Sequence, residues 1–320
     1  MRPSNQTVLP HSVKVVEECT ESESESTLPT ISDSDNSEWE DWESLETSNT
    51  EIFGADVDLI KEFAPKFELK MATLNVRSLA LRPNMMKGTH SAKRSLENVN
   101  LDLLTTNAHI QGIHVMGLQE CRRAVGVEVN GEYTCYWGGC KRGHYGVGIM
   151  LLTSMATNME VVVVSPRFMM LIGSINGMFL TLFSAYTYTG KETFVTRQEN
   201  YNQYSTALDS VDTKYRINRI GFIDGNCNIG NYSEEWEDIR GKYVDEDKHM
   251  NTSGQLLLEF CVAHKMILCN TYFENDVYTT WTNPSISRDE SNPNYHNTLD
   301  FVLISKTLKE RMVICGVDVG

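Results

Sequence analysis

A polar residue stands at the end of each of three short apolar runs in the sequence: Asn75, Glu120 and Asp224. Such runs are typical of buried β-strands, and strand ends converge at one rim of a sheet. Carboxylate and amide oxygens gathered there would bind a hard cation such as Mg²⁺, which needs few protein ligands because it keeps water and substrate oxygens. Taken singly, each residue is more readily explained as an ordinary polar residue at a strand end. Only the set predicts a metal-dependent site.

The elements that must position these residues are short β-rich runs with helical patterns between them. We predict strands at 69–76, 113–119, 147–152, 160–164, 219–224, 265–270, 298–304 and 312–317. A hairpin is predicted over 168–186, because Asn176 and Gly177 stand between two β-rich runs.

Helices are predicted at 96–110, 197–211 and 254–264, where apolar residues recur at helical spacing. Two or three strands often follow one another before a helix intervenes, so the order is neither strict βαβ alternation nor all-β. We therefore expect an α/β (α+β) fold, a four-layer sandwich of two packed mixed β-sheets flanked by helices.

The negative charge of the chain is concentrated at its N-terminus. The first 50 residues carry twelve acidic and two basic side chains, which leaves −5 of the net charge of −15 for the remainder. Few aliphatic residues are present there to offset the entropy of ordering, so we predict that residues 1–66 are a disordered acidic Ser/Glu-rich tail and 67–320 the folded domain. A solubilising tail is the simplest interpretation, while Trp39 and Trp42 leave open a docking segment for a protein partner.

The sequence does not open on a basic stretch followed by an apolar run, so we expect an intracellular protein, nuclear or cytoplasmic. The most apolar stretch, 168–186, is interrupted by polar residues and is not a membrane span. Reduced thiols are expected for the eight cysteines. Cys135 and Cys140 do not predict zinc, because no second pair completes a four-ligand set.

Nine segments carry motifs in a recognisable order: 72–79, 116–120, 145–149, 182–186, 223–230, 251–261, 268–273, 280–281 and 297–303. Together they resemble the endonuclease/exonuclease/phosphatase superfamily. They are most similar to the endonuclease domains of RTE-type non-LTR retrotransposons and to the craniofacial development protein two family. The segment after the predicted strand 219–224 is the least faithful, because Ile223, Gly225 and Cys227 depart from the family pattern.

The resemblance implies a DNase I-like fold and metal-dependent hydrolysis of phosphodiesters, with Mg²⁺ or Mn²⁺ as cofactor and DNA as partner. It implies that Glu120 is the principal metal ligand, that Asn75 completes the metal site or steadies the phosphate, and that Asp224 activates the attacking water. Asn226 would position a phosphate oxygen, and Tyr186 would donate to the scissile phosphate. In-line attack on a phosphodiester needs such charge neutralisation and alignment more than covalent help.

Asp300 would orient a histidine that the family carries in a closing S-D-H motif. That motif follows a strand similar to 312–320, where this sequence ends, so we expect a domain truncated at its C-terminus, with little or no nuclease activity with Mg²⁺ as it stands. Arg77 and Arg122, basic side chains near these motifs, and Thr280 in a segment similar to the family's T-W step are candidates for phosphate or nucleic-acid contacts, although surface solvation explains the basic residues about as well. Further basic candidates for such contacts include Arg123 and Arg219.

Three functions are consistent with these motifs. A DNA endonuclease of retrotransposon origin is the leading hypothesis. A small-molecule phosphoesterase and a non-catalytic interaction module on the same fold remain open, since one architecture serves several activities.

Overall fold

The computed structural model of the protein describes residues 13–15, 68–79, 99–140, 144–156, 158–231, 233–244, 248–274, 279–282 and 296–315. The chain divides into two units, Met1–Glu18 with Leu69–Gly320 and Cys19–Glu68, and every element below belongs to the first. In the described residues, no helix is both long and apolar enough to cross a membrane.

Fourteen strands and four α-helices are present in the described ranges. The strands are β1 (Val13–Val15), β2 (Met71–Asn75), β3 (Val115–Gln119), β4 (Gly126–Asn130), β5 (Tyr133–Trp137), β6 (Gly148–Leu152), β7 (Glu160–Ser165), β8 (Phe168–Ile175), β9 (Met178–Tyr186), β10 (Arg219–Asp224), β11 (Met266–Leu268), β12 (Trp281–Thr282), β13 (His296–Asn297) and β14 (Asp300–Ser305). The helices are α1 (Val99–Ile110), α2 (Phe194–Asp209), α3 (Thr213–Arg216) and α4 (Thr252–Ala263). Short 3₁₀ helices cover Thr153–Met155, Glu234–Trp236, Cys269–Thr271 and Lys306–Arg311.

Two mixed sheets contain most of these strands. The larger has seven strands in the order β1-β7-β8-β9-β10-β14-β11, and the smaller has five in the order β2-β3-β6-β5-β4. β9 and β10 are parallel neighbours, as are β2 and β3, whereas β10 and β14 are antiparallel. The parallel pairs bring the C-terminal ends of their strands to the same edge, which is where the polar residues of interest stand.

The sheets pack face to face through β3 on one side and β9 and β10 on the other. Gly117 makes the close approach possible, because a Cβ atom at this position would lie 2.0 Å from Cβ of Phe222. Phe222 is fully buried between the sheets, whereas Phe183 is buried on the opposite face of the larger sheet, against Phe260 of α4. A small residue of one sheet thus faces a large residue of the other, as dense packing requires.

A buried polar side chain also joins the sheets. Nε2 of Gln119 donates to Oγ of Ser184 and to the backbone O of Phe222, both at 3.3 Å, and Oγ of Ser184 donates to the backbone O of Leu118 at 3.0 Å. Because these bonds lie within two residues of the ends of β3, β9 and β10, they hold those ends in mutual register.

Helices cover the outer face of each sheet. Leu101 and Ala108 of α1 pack on the smaller sheet, and Tyr204 of α2 and Phe260 of α4 pack on the larger one. Each of the two longer helices over the larger sheet begins at a side-chain cap. Oγ1 of Thr193 accepts from the Thr196 amide at 3.2 Å, and Oδ1 of Asn251 accepts from the Gly254 amide at 2.9 Å.

The expected four-layer architecture of two mixed sheets between helices is confirmed. β4 and β5 were not predicted. The strand predicted at 312–317 is wrong for the described residues 312–315, which follow a 3₁₀ helix without pairing to any described strand. β1 lies within the segment predicted to be disordered and pairs parallel to β7. The remainder of 1–66 lies outside the described residues, so its disorder stays a prediction.

Candidate active site

Strand register brings the predicted site residues to one rim. Asp224, the last residue of β10, stands opposite Tyr186 of β9 on one side and opposite Asp300 of β14 on the other. On the facing sheet, Asn75 ends β2 and Glu120 directly follows β3. Both sheets thus contribute to a single cluster of polar side chains.

The amide of Asn75 connects the two sheets. Its Nδ2 donates to Oε1 of Glu120 at 3.1 Å and to Oδ2 of Asp224 at 2.9 Å, while its Oδ1 accepts from the backbone N of Arg77 at 3.0 Å. One neutral side chain therefore contacts both carboxylates and fixes their separation.

Glu120 accepts hydrogen bonds through both carboxylate oxygens. The Tyr186 hydroxyl donates to Oε1 at 3.2 Å, and Nη2 of Arg122 donates to Oε2 at 3.2 Å. Burial, and then the charges of Glu120 and Asp224, raise the pKa of Tyr186 far above its usual value. Tyr186 therefore remains a hydroxyl donor at any physiological pH.

Asp224 and Asp300 form a pair of carboxylates with no basic partner among the described residues. Burial, and next the charge of Asp300, raise the pKa of Asp224 from 3.8 to about 7, although hydrogen bonds from Asn75 and from the Asn226 backbone oppose this. Burial raises the pKa of Asp300 to about 6, against a hydrogen bond from Thr280. Oδ1 of Asp300 is buried without a described hydrogen-bond partner.

Asn226 and Thr187 hold the backbone around Asp224. The Asn226 backbone N donates to Oδ1 of Asp224 at 3.1 Å, and its Nδ2 donates to the backbone O of Thr187 at 3.0 Å. The Thr187 backbone N and hydroxyl both donate to the backbone O of Asp224, at 3.0 and 3.1 Å. The loop after β10 is therefore tied to the loop after β9.

Thr280 and Arg77 lie at the border of the cluster. Oγ1 of Thr280 accepts from the backbone N–H groups of Leu299 and Asp300, at 2.9 and 3.1 Å, so it holds the start of β14 in place. Arg77 is exposed beside Asn75. Contacts of Thr280, Arg77 and Arg122 with phosphate stay predictions.

Strained backbone is concentrated at this rim. Among the described residues, eight non-glycine residues have positive φ angles, and five of them lie here: Arg77, Glu120, Arg122, Tyr145 and Asn226. Side chains other than glycine rarely adopt this region, at a cost of roughly 1 kcal/mol or more each. Strain of this kind clusters at functional sites, where surrounding contacts hold it in place.

Two basic residues that were candidates for nucleic-acid contact are buried away from the rim. Nη1 of Arg123 pairs with Oε1 of Glu128 at 3.1 Å. Nη2 of Arg219 donates to the backbone O of Leu208, and Nη1 contacts Nδ1 of His264, both at 3.1 Å. For Arg123 and Arg219 the prediction is wrong, because apolar packing and local acceptors enclose their guanidinium groups.

Gln119, Thr187 and Arg167 support the site and were not singled out from the sequence. Nη1 of Arg167 donates to the backbone O atoms of Tyr186 and Thr187, each at 3.2 Å. Gln119 and Thr187 stand within one residue of predicted site residues, so their position along the chain was a usable signal. The sequence held no such signal for Arg167, because a single arginine before an apolar strand cannot be told from a surface cation.

The residues suited to a cation are few. Among the described residues, no group of three or more His, Cys, Asp or Glu side chains is arranged to hold a metal ion. The carboxylate of Glu120 supplies the hard oxygen donor that Mg²⁺ prefers. The amide oxygen of Asn75, which here faces the Arg77 backbone N, would supply a second once the amide rotates, with water and substrate completing the shell. Two further carboxylates without a basic partner stand beside them, which fits a site that attracts positive charge.

Solved structures similar to this chain are nucleases and related phosphatases. An AP endonuclease from Archaeoglobus fulgidus is 17% identical, with 79% of this chain and 92% of that chain covered at a TM-score of 0.50. The endonuclease domain of TRAS1, a telomere-specific non-LTR retrotransposon, is 14% identical, with 65% and 80% covered at 0.43. The 3′ phosphatase NExo from Neisseria, bound to product DNA hairpin, is 13% identical, with 78% and 96% covered at 0.48.

The protein thus has the DNase I-like fold that the motifs predicted. At these identities the likeness establishes the fold alone. No protein-family model and no curated protein matches the sequence.

Proposed function

We propose that the protein is a divalent-metal-dependent phosphodiesterase acting on DNA, an endonuclease of retrotransposon origin. The observation that carries this proposal is the hydrogen-bonded cluster of Asn75, Glu120, Tyr186 and Asp224, which joins both sheets at one rim. Hydrolysis of a phosphodiester needs a placed water, an aligned phosphate and compensation of negative charge. The cluster offers a group for each task.

Asp224 is the proposed general base. Both of its oxygens already accept hydrogen bonds, from Asn75 and from the Asn226 backbone, so the carboxylate is held in one orientation. A water that donates to it would stand beside Tyr186 and Asn226, whose hydroxyl and amide are suited to hold non-bridging phosphate oxygens. Asp300, opposite Asp224, would orient a histidine, as the resemblance implies.

Glu120 and Asn75 are the proposed ligands for Mg²⁺ or Mn²⁺. A bound cation would neutralise the phosphate and stabilise the charge that develops on the leaving oxygen. Arg122 occupies one oxygen of Glu120, with exposed fractions of 36% for Arg122 and 22% for Glu120. An ion pair this exposed contributes roughly 0 to 1 kcal/mol, so Arg122 can turn outward to a phosphate instead.

DNA is the proposed substrate class because the retrotransposon-type motifs extend over the second half of the domain. Arg77 and Arg122 flank the cluster and would contact the nucleic-acid backbone. With −5 of net charge outside the first 50 residues, the body is not basic, so binding should be weak. It should also be salt-sensitive, because it depends on phosphate contacts.

Plasmid nicking tests the proposal. We expect the full chain to nick supercoiled plasmid only slowly with Mg²⁺ and to stop in EDTA. Glu120→Gln should lower the rate by about two to three orders of magnitude, since it removes the charge that holds the cation. Glu199→Gln, an exposed glutamate on α2, is the matched control and should have no effect. Nicking that survives Glu120→Gln would contradict the assignment of the site.

A non-catalytic module on the same fold is the second candidate. It is favoured by the finding that no described trio of acidic, histidine or cysteine side chains can hold a metal. That function predicts DNA or protein binding that is unchanged by Mn²⁺ and by Glu120→Gln. A small-molecule phosphoesterase would instead hydrolyse inositol phosphates or phospholipids while leaving plasmid intact.

A further inference from the structure

Arg167 is a buried arginine at the start of the hairpin strands. It stands between β7 and β8, and its Nη1 donates to the backbone O atoms of Tyr186 and Thr187, each at 3.2 Å. Its own backbone O accepts from the Tyr204 hydroxyl at 3.3 Å. The guanidinium group therefore contacts the C-terminal end of β9, the strand that ends at Tyr186.

Three tyrosine rings surround this guanidinium. Its carbon atom lies 3.8 Å from the ring centroid of Tyr145, 4.1 Å from that of Tyr188 and 4.9 Å from that of Tyr186. In the part of the chain that the structure describes, Arg167 forms no ion pair with a carboxylate. Its charge is balanced by ring faces and carbonyl dipoles, an arrangement that strengthens as water is excluded.

Tyr145 is the exposed member of this group. It is 38% exposed, and its ring centroid lies 6.1 Å from that of Tyr186, which contacts Glu120. Arg167 covers one face of the ring. No hydrogen bond of the proposed catalytic cluster involves the Tyr145 side chain, so catalysis as proposed above gives no reason for an aromatic residue here.

The backbone presents Tyr145 in a fixed and strained conformation. Its φ angle is 65°, and its O accepts from the Arg122 backbone N at 2.9 Å. The next residue, Gly146, donates to the backbone O of Pro166 and accepts from the backbone N of Cys121, at 3.0 and 2.9 Å. The turn that carries Tyr145 is thus anchored to the turn that carries Glu120 and to the residue before Arg167.

We propose that Tyr145 is a stacking platform for a nucleobase that has left the duplex stack beside the scissile phosphate. The inference rests on the proposed nuclease function and names its substrate class as single-stranded or locally unpaired DNA. Arg167 acts as a positioning residue that holds one face of the ring, so the nucleobase stacks on the other. Aromatic platforms beside a phosphate-binding site are the usual means of holding unpaired bases.

Binding to short single-stranded oligonucleotides tests the inference without requiring cleavage. The full chain carrying Glu120→Gln is titrated with two fluorescent oligonucleotides, one complete and one with abasic tetrahydrofuran units in place of its central nucleosides. Tyr145→Ala should weaken binding of the complete strand by at least about fivefold. Binding of the abasic strand should not change, and Tyr145→Phe should restore the affinity because it keeps the ring.

Phe179→Ala is the matched control. Phe179 is also an exposed aromatic residue, 46% exposed with Nζ of Lys214 5.3 Å from its ring centroid, but it lies near the opposite end of β9. Seven residues separate it from Tyr186, about 23 Å at the usual strand rise. A general contribution of exposed aromatic residues to binding would lower affinity in both variants, and this result would overturn the inference.

A 2-aminopurine base in the central position reports stacking directly. We expect its fluorescence to be quenched by the chain with Tyr145 or Tyr145→Phe and not by Tyr145→Ala, with unchanged circular dichroism. Equal quenching by Tyr145→Ala, while Glu120-dependent nicking persists in the unsubstituted chain, would overturn the inference and leave the proposed function standing. Absence of both oligonucleotide binding and nicking would overturn both.

Discussion

Replacing Asp300 with asparagine should stabilise the protein above neutral pH. Asp300 stands opposite Asp224 in adjacent strands, and its Oδ1 is buried without a described hydrogen-bond partner. Asparagine has nearly the same shape but carries no charge. The substitution therefore removes the burial cost of one carboxylate and its repulsion of the other, with little change in packing.

The magnitude follows from the pKa of Asp300, which rises from 3.8 to about 6 on folding. The folded state then binds the proton more tightly than the unfolded state. The contribution of Asp300 to the free energy of unfolding therefore falls as pH rises from about 4 through 6. At about 1.4 kcal/mol per pK unit, the ionised Asp300 costs about 3 kcal/mol above pH 7. We expect Asp300→Asn to recover about 1 to 3 kcal/mol there and close to nothing at pH 4.

The gain in stability is measured by thermal unfolding, followed by circular dichroism at pH 4.5, 6 and 8. EDTA is present so that no cation neutralises Asp224 and Asp300. For a domain of this size the gain at pH 8 corresponds to a rise of roughly 3 to 10 °C in Tm. Asp238→Asn is the control, since that aspartate is 87% exposed and should show no pH-dependent change. Destabilisation by Asp300→Asn at pH 8 would refute the reasoning, because it would show that the carboxylate has a favourable partner.

Three further outcomes are expected from the contacts described above. Gly117→Ala should lower the free energy of unfolding in urea by about 2 to 3 kcal/mol, because its Cβ would meet Phe222 between the sheets. Asn251→Ala should cost about 1 kcal/mol in the same assay by removing the cap on the Gly254 amide. Asn75→Ala should lower the nicking rate at least about tenfold and weaken Mn²⁺ binding measured by calorimetry, since the amide that orients both carboxylates is lost. An unchanged rate and affinity in the last variant would argue against Asn75 as a ligand.

Local patterns in the sequence determined much of the fold. β10 begins and ends where the apolar run predicted, and β2, β3 and β6 lie within the predicted strands. The polar residues that end β2, β3 and β10 were predicted to meet at one rim, and the structure places Asn75, Glu120 and Asp224 within one hydrogen-bonded cluster. Strand periodicity and chain order carry this information, because the C-terminal ends of parallel neighbours share an edge. The roles assigned to these residues stay predictions.

The formation of β4 and β5 depended on neighbouring parts of the fold, because their own sequence pattern does not predict strands. In β4 the valines are exposed, whereas Glu128 accepts from Trp137 Nε1 at 2.8 Å and pairs with Arg123. The charged residue therefore faces inward and the apolar residues face solvent, the reverse of the usual pattern in a strand with one buried face. In the segment 312–315, by contrast, the sequence predicts a strand that does not form. Val313 and Ile314 have high strand propensity but are each 80% exposed, because propensity forms a strand only where another strand offers hydrogen bonds.

The chemistry of the site likewise required the tertiary structure. Strand register sets Asp224 against Asp300. Burial raises the pKa of both carboxyl groups, and the charge of Asp300 raises that of Asp224 further. In the sequence Arg167 resembles a surface cation. The fold instead buries it next to the site, among three tyrosines from two segments of the chain. The sequence by itself determined which residues could act, because residue type and strand periodicity are local properties. Only the tertiary structure decided their charge state and partners, because desolvation and cross-strand pairing arise between segments far apart in the chain.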